Sequence, residues 1–304
     1  MDTSKTWLEV CLNGGCSPDL QPNIPFSFDE IVNESLACVE AGAGIICVAA
    51  YDQKSGKVAT DADIYSKIIE GIRTKVDTIV YPHPINLRQN DLIPIEEDDR
   101  LKLAEILGER GLLDWVNVTP GSNNITHYDE VRLDKAGIVN INTETQIRSA
   151  LGMAKKFKAH PSYQIFDPGA IRMGASLNWR EGSPVAVYRF VFSSGFPLGF
   201  PPEDYGLTAY LNLLDQVAPG APWMISGLDA DIAPLIPRAV LEGGHVRVGL
   251  GDAPLGTDLK NIDMVKKAVA DIESSGGNLA TGDEIRDALG GIRKNPELMQ
   301  SNHN

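Results

Sequence analysis

Apolar residues recur along the chain in short, nearly continuous runs, each followed by a stretch with helical spacing. The runs cover 8–13, 44–50, 77–83, 114–119, 163–167, 186–192, 223–227 and 245–250, and most are rich in Val and Ile. They lack the polar alternation of a strand with one wet face, so they read as strands covered on both sides. The segments between them carry helix punctuation. Residues 28–41 follow Ser27 and stop at Gly42, residues 96–110 stop at Gly111, and residues 229–242 stop at Gly243 and Gly244. A Ser before a helix can accept from an otherwise orphaned N–H, and a Gly after one takes the left-handed turn that ends it.

About eight strands alternating with about eight helices in some 300 residues predict an α/β fold, a (β/α)8 barrel, better than a doubly wound sheet. A dinucleotide fold would need Gly-x-Gly-x-x-Gly after the first strand, and Leu12-Asn13-Gly14-Gly15-Cys16 does not supply it. One barrel domain is expected over residues 1–290, followed by a polar tail over 291–304. Pro197, Pro201 and Pro202 mark a long loop after the sixth strand, at the end of a barrel where catalytic loops gather.

Composition narrows the partners. Of 304 residues 43% are apolar, which excludes a disordered chain, and the formal net charge of -14 repels a phosphate backbone, so no nucleic-acid partner is expected. No uncharged apolar run is long enough for a membrane helix, and residues 1–10 do not read as a signal peptide. Cys11, Cys16, Cys38 and Cys47 form no C-x-x-C pair and read as reduced thiols; a soluble, cytoplasmic protein is expected.

In a barrel, chemistry is sought at the C-terminal strand ends. Those positions hold Asn13, Cys47 with Ala49 and Asp52, His83, Thr119 with Ser122 and Asn124, Asp167, Ser193, Ser226, and Arg247 with Asp252. The set is largely polar and uncharged, and suits a small acidic or carbonyl-bearing ligand; no Gly-x-Ser-x-Gly elbow is present. Arg247 stands in the apolar run His245-Val246-Arg247-Val248-Gly249, and a buried Arg needs a carboxylate because it cannot shed its proton. Asp252 is the expected partner. Two readings follow: an ion pair that plugs the barrel, or a dyad in which Arg247 holds negative charge and Asp252 moves a proton. His83, between Pro82 and Pro84, reads as a base, a ligand or a hydrogen-bonded loop residue. His127, His160, His245 and His303 have no partners at metal-ligand spacing.

The run from Gly243 to Asp252, Gly-Gly-His-Val-Arg-Val-Gly-Leu-Gly-Asp, resembles the signature of the beta-keto acid cleavage enzymes, the family of the 3-keto-5-aminohexanoate cleavage enzyme of lysine fermentation. Leu12-Asn13-Gly14-Gly15, Glu40-Ala41-Gly42-Ala43-Gly44 and the pattern Asn261, Val265, Ala268-Val269, Ala280-Thr281, Glu284, Arg286, Leu289-Gly290 extend the likeness over nearly the whole chain. The resemblance implies a barrel, usually a homo-oligomer, that cleaves a β-keto acid with acetyl-CoA to give acetoacetate and a new acyl-CoA. It implies Arg247 and Asp252 as the enolate-forming pair, and Ser122 and Asn124 as the substrate-carboxylate site; Asn13 and His83, read from the strand ends, are the other expected substrate-binding residues. It also implies a zinc held by a His-x-His pair and a Glu. The corresponding positions here are Cys47, Ala49 and Gly251, two of them without a donor atom, so the family's zinc set is absent. Carbon–carbon cleavage without zinc is therefore the expected activity, that of a transferase or lyase. A barrel that only binds a small acidic ligand is the alternative, and a relocated metal site using Cys47, His83 and Asp252 a third reading.

Overall fold

The computed structural model of the protein describes residues 5–14, 16, 18–54, 56, 58–83, 97–133 and 137–291, with no account of the side chains of 97–100. Gly15 and the expected tail beyond residue 291 lie outside the described residues. The strands are β1 (Leu8–Cys11), β2 (Ile45–Val48), β3 (Ile79–Pro82), β4 (Trp115–Val118), β5 (Asn123–Ile125), β6 (Ile138–Asn140), β7 (His160–Ile165), β8 (Val187–Ser193), β9 (Trp223–Leu228) and β10 (His245–Val248). The helices are α1 (Phe28–Glu40), α2 (Ala62–Arg73), α3 (Glu97–Glu109), α4 (Tyr128–Arg132), α5 (Glu144–Phe157), α6 (Pro168–Glu181), α7 (Asp204–Val217), α8 (Ile236–Leu241), α9 (Asn261–Ser274) and α10 (Gly282–Gly291).

All strands but β5 and β6 form one parallel sheet in the order β3-β2-β1-β10-β9-β8-β7-β4, which wraps into the expected (β/α)8 barrel. Among the described residues the ladder does not cross from β3 to β4. Pro82 at the end of β3 has no N–H to give, and the seam is bridged by side chains instead. Asn117 Nδ2 donates to the Pro82 carbonyl at 2.5 Å, and the Tyr81 and Trp115 rings meet with centroids 5.4 Å apart.

The uninterrupted apolar runs have a direct cause. Leu8, Val10, Ile46, Val48 and Ile225 pack into the outer core with helix residues such as Ile31, Ile69 and Leu207. Their neighbours Trp7, Cys11, Ile45, Cys47, Ile79, Tyr81, Trp115 and Met224 fill the barrel. At its N-terminal floor Ile285 and Leu289 of α10 close the interior. His245 is buried there, stacked on Trp7 at 3.8 Å with its Nδ1 accepting from the Trp7 N–H at 3.1 Å.

Local signals are honoured where packing does not oppose them. The Ser27 hydroxyl accepts from Glu30 N–H while the Glu30 carboxylate accepts from Ser27 N–H, a full capping box on α1. The helix expected from residue 229 is a correction: Asp229 is left-handed (φ 53°), and a 3-10 turn at Ala233–Leu235 precedes α8. Pro234 and Pro237 explain the delay, because a residue without an N–H fits only a helix's first turn. β7 begins earlier than expected, at His160, although Pro161 follows. Pro161 pairs only with β4, and β8 joins at Ser162, so one strand-side donor is dispensable. The β5–β6 hairpin, too short to leave a periodic signature, stands between the expected strands at 114–119 and 163–167.

Candidate active site at the mouth of the barrel

Three strands carry single charges into the interior. Arg247 is 2% exposed and grips Asp252 through two bonds, Nε to Oδ2 at 2.7 Å and a terminal nitrogen to Oδ1 at 2.8 Å. Its other terminal nitrogen donates to Glu9 Oε1 at 2.9 Å and to the Tyr81 hydroxyl at 3.3 Å. Tyr81 in turn donates to Glu9 Oε1 at 2.5 Å and accepts from Arg189 at 2.9 Å. Arg189 also reaches Ser162 at 3.4 Å and lies 3.8 Å from Glu9. Two guanidinium groups thus face two carboxylates, and the buried network is formally neutral. Such balance is required where water cannot solvate an unpaired charge. Burial, with the neighbouring Cys47 and Glu9, holds the Tyr81 hydroxyl well above its ordinary pKa, so it acts as a phenol.

The upper side of this network opens into a small depression lined by Gly14, His83, Gln164, Arg189, Ser226, Arg247, Gly251 and Asp252, with Phe166 and Leu228 among the apolar walls. It lies at the C-terminal ends of the strands, the end where barrels keep their chemistry. The Arg247 and Asp252 pairing expected from the sequence is present. Glu9, Tyr81, Arg189 and Gln164 were not foreseen. Glu9 between Leu8 and Val10, and Arg189 between Tyr188 and Phe190, carry the same signal as Arg247: one charge inside an apolar strand.

Other expected site residues are spent elsewhere. Asn13 donates to the carbonyls of Pro25 and Ala49, both at 3.0 Å, and accepts from the Ala49 N–H at 2.8 Å. Its amide fastens the end of β1 to the end of β2 and has no donor left for a substrate. Ser122 is exposed and accepts from the Asn142 N–H at 2.8 Å. Asn124 is an exposed position of β5 opposite Val139. The strand alternation that turns Asn123 inward, onto Asp167 at 2.8 Å, turns Asn124 outward. Neither Ser122 nor Asn124 lines the depression. Asp52 caps the Lys54 N–H at 3.0 Å, and His127 caps α4.

The family's zinc positions do not fit that zinc. Ala49 offers only its backbone, which Asn13 holds. At Gly251 a Cβ would stand 2.3 Å from Cys11 Sγ and 2.7 Å from Gly14 Cα, so the space of a Glu side chain is already filled. Cys47 has His83 near it, as the relocated-metal reading held, and also Cys11, which the sequence did not suggest. It pairs in register with Cys11 on β1, and the two thiols and the His83 ring present ligand atoms within 4.8 Å of one another. The four cysteines are buried, and none is in a disulfide.

Comparisons with known proteins agree with this architecture. The chain is 24% identical over 273 residues to the 3-keto-5-aminohexanoate cleavage enzyme of Fusobacterium nucleatum, covering 88% of this chain and 91% of that one. It is 23% identical to a 3-dehydrocarnitine:acetyl-CoA trimethylamine transferase of Rhizobium meliloti, covering 88% and 90%. The apo structure of ObcA superposes with a TM-score of 0.66 at 13% identity; 89% of this chain is covered, but it spans only 66% of the ObcA chain. The sequence model of the beta-keto acid cleavage enzymes matches residues 5–290, and the chain belongs to that family.

Proposed function

We propose that the protein transfers an acyl group from a β-keto acid to coenzyme A, converting the keto acid and acetyl-CoA into acetoacetate and a new acyl-CoA. The observation that carries this reading is the bidentate Arg247–Asp252 pair at the floor of the mouth depression. The relatives support it, since they bear the names of a β-keto acid cleavage enzyme and an acetyl-CoA-dependent transferase. A related barrel, ObcA, is described as a ternary complex with a C4-CoA adduct and oxalate.

The residues divide the work by their free valences. Arg247 directs four hydrogen bonds into the protein, and a guanidinium has five N–H donors, so one remains for an enolate oxygen. Each Asp252 oxygen keeps a second lone pair beyond Arg247, enough to accept the proton from the carbon between the keto and carboxylate groups. Arg189 and Gln164, on neighbouring strands of the same wall, hold the substrate carboxylate, in the place of Ser122 and Asn124. The enolate attacks the acetyl thioester, coenzyme A leaves as thiolate and attacks the original keto carbon, and the bond from that carbon to the former enolate carbon breaks; the released enolate takes back the proton from Asp252 and leaves as acetoacetate. No step here draws on the family's zinc, whose ligand set this chain lacks.

The test is a panel of β-keto acids incubated with acetyl-CoA, with acyl-CoA and acetoacetate followed by mass spectrometry. Formation of both products, lost in Asp252→Asn, is expected. Binding of keto acids without turnover across the panel would replace this reading with that of a ligand-binding barrel.

A further inference from the structure

Cys11, Cys47 and His83 are buried at the ends of three adjacent strands, β1, β2 and β3, and their ligand atoms lie within 4.8 Å of one another. The register places Cys11 beside Cys47, and Cys47 beside Tyr81, two residues before His83 on the same face of β3. From this arrangement we propose that the chain binds a thiophilic divalent ion of the zinc class through Cys11, Cys47 and His83, a site of different composition from the family's.

Four physical points support it. A zinc ion takes sulfur at about 2.3 Å and imidazole nitrogen at about 2.0–2.1 Å, so neighbouring ligand atoms of a tetrahedron stand roughly 3.5–3.8 Å apart. The three donors lie within 4.8 Å of one another, so reaching that spacing takes movements on the order of 1 Å. Second, Cys11 and Gly251 are sterically matched. The sulfur occupies the volume that any side chain at 251 would need, so the donor that position has lost returns from β1. Third, two thiolates cancel the charge of a divalent ion, and a neutral centre is the form that a buried site beside an already balanced network tolerates. Fourth, a thiolate–imidazole set selects zinc-class ions over the hard cations. His83 and Gly251 line the mouth depression, which gives the ion a path in.

The site also corrects the earlier expectation for a relocated ligand set. Asp252 is committed to Arg247 through both oxygens, and Cys11 takes its place. Burial, followed by the hydrogen bond with Cys47, raises the Cys11 thiol well above its ordinary pKa. Loading therefore expels the Cys11 thiol proton, and affinity rises with pH. This inference does not depend on the acyl-transfer reading.

The experiment uses the full chain, stripped of metal under reducing conditions and titrated with Co2+ and then Zn2+. Saturation at one ion per chain with thiolate-to-cobalt charge-transfer absorption, abolished by Zn2+, is expected. Cys11→Ser, Cys47→Ser and His83→Gln should each weaken Co2+ binding beyond the roughly 10–100-fold that loss of an outer partner costs. Circular dichroism checks that each is folded, and Cys38→Ser, a buried cysteine outside the cluster, should bind as the parent does. Binding without the charge-transfer band, or unchanged in all three variants, overturns the proposal. So does a Cys11–Cys47 disulfide in mapped peptides of protein purified under reducing conditions.

Discussion

β10 carries two buried polar side chains two residues apart, and the barrel treats them in opposite ways. His245, at the floor, has an aromatic face on one side and one backbone donor; burial pushes its pKa down to about 3, so it sits as a neutral ring. Arg247, one layer higher, cannot discharge. It has drawn Asp252, Glu9 and Tyr81 around it. The floor can thus be closed with apolar matter from α10, while the layer above must remain a charged network. A group that can give up its proton allows a dry plug; one that cannot requires carboxylates, and so places proton acceptors beside the mouth.

Breaking the upper layer should have the largest effect. Asp252→Asn or Glu9→Gln leaves a buried guanidinium short of a carboxylate, and each should cost about 3–5 kcal/mol in urea unfolding. Asp252→Asn should in addition lower turnover by about 10²–10⁴, the usual contribution of a positioned base. If both variants unfold like the parent, the charged layer is not the interior's constraint.

The floor is tested by pH. The folded pKa of His245 lies below its ordinary 6.5, so the unfolded chain binds the extra proton between these values. Stability from this residue is complete above about pH 6.5 and falls as pH drops, by up to about 1.4 kcal/mol per unit towards pH 3. In His245→Phe the unfolding free energy between pH 6 and 4 should flatten by about one proton's slope. An unchanged slope would show that the imidazole is already protonated in the fold.

Smaller effects mark the edge of the mouth. Gly251→Ala drives a methyl into Cys11 Sγ and the Gly14 backbone, and overpacking of that kind costs about 1–3 kcal/mol in thermal or urea unfolding. Asn124→Ala, on the exposed face of the hairpin, should change stability by no more than about 0.5 kcal/mol and leave the KM for the keto acid unchanged. A large rise in KM would return Asn124 to the substrate site.

The sequence by itself determined the barrel and one pair within it. Eight apolar runs without alternation have no stable use except as strands covered on both faces, and the period survives because every strand is so covered. Arg247 with Asp252 five residues on was legible because local chain geometry nearly suffices to join them. Glu9 and Arg189 carried the same local mark, but their partners lie on other strands, and no spacing along the chain announces such a meeting. That Asn13 turns onto backbone groups, and Ser122 and Asn124 away from the depression, was not legible for a related reason: a polar residue near a strand end looks the same whether it faces a ligand or a backbone carbonyl. Cys11, Cys47 and His83 are separated by about 36 residues each, and only the parallel register of β1, β2 and β3 sets them side by side. Pattern is a property of the segment, whereas a site is assembled by register and by the closure of the sheet, which bring together residues that the chain keeps apart.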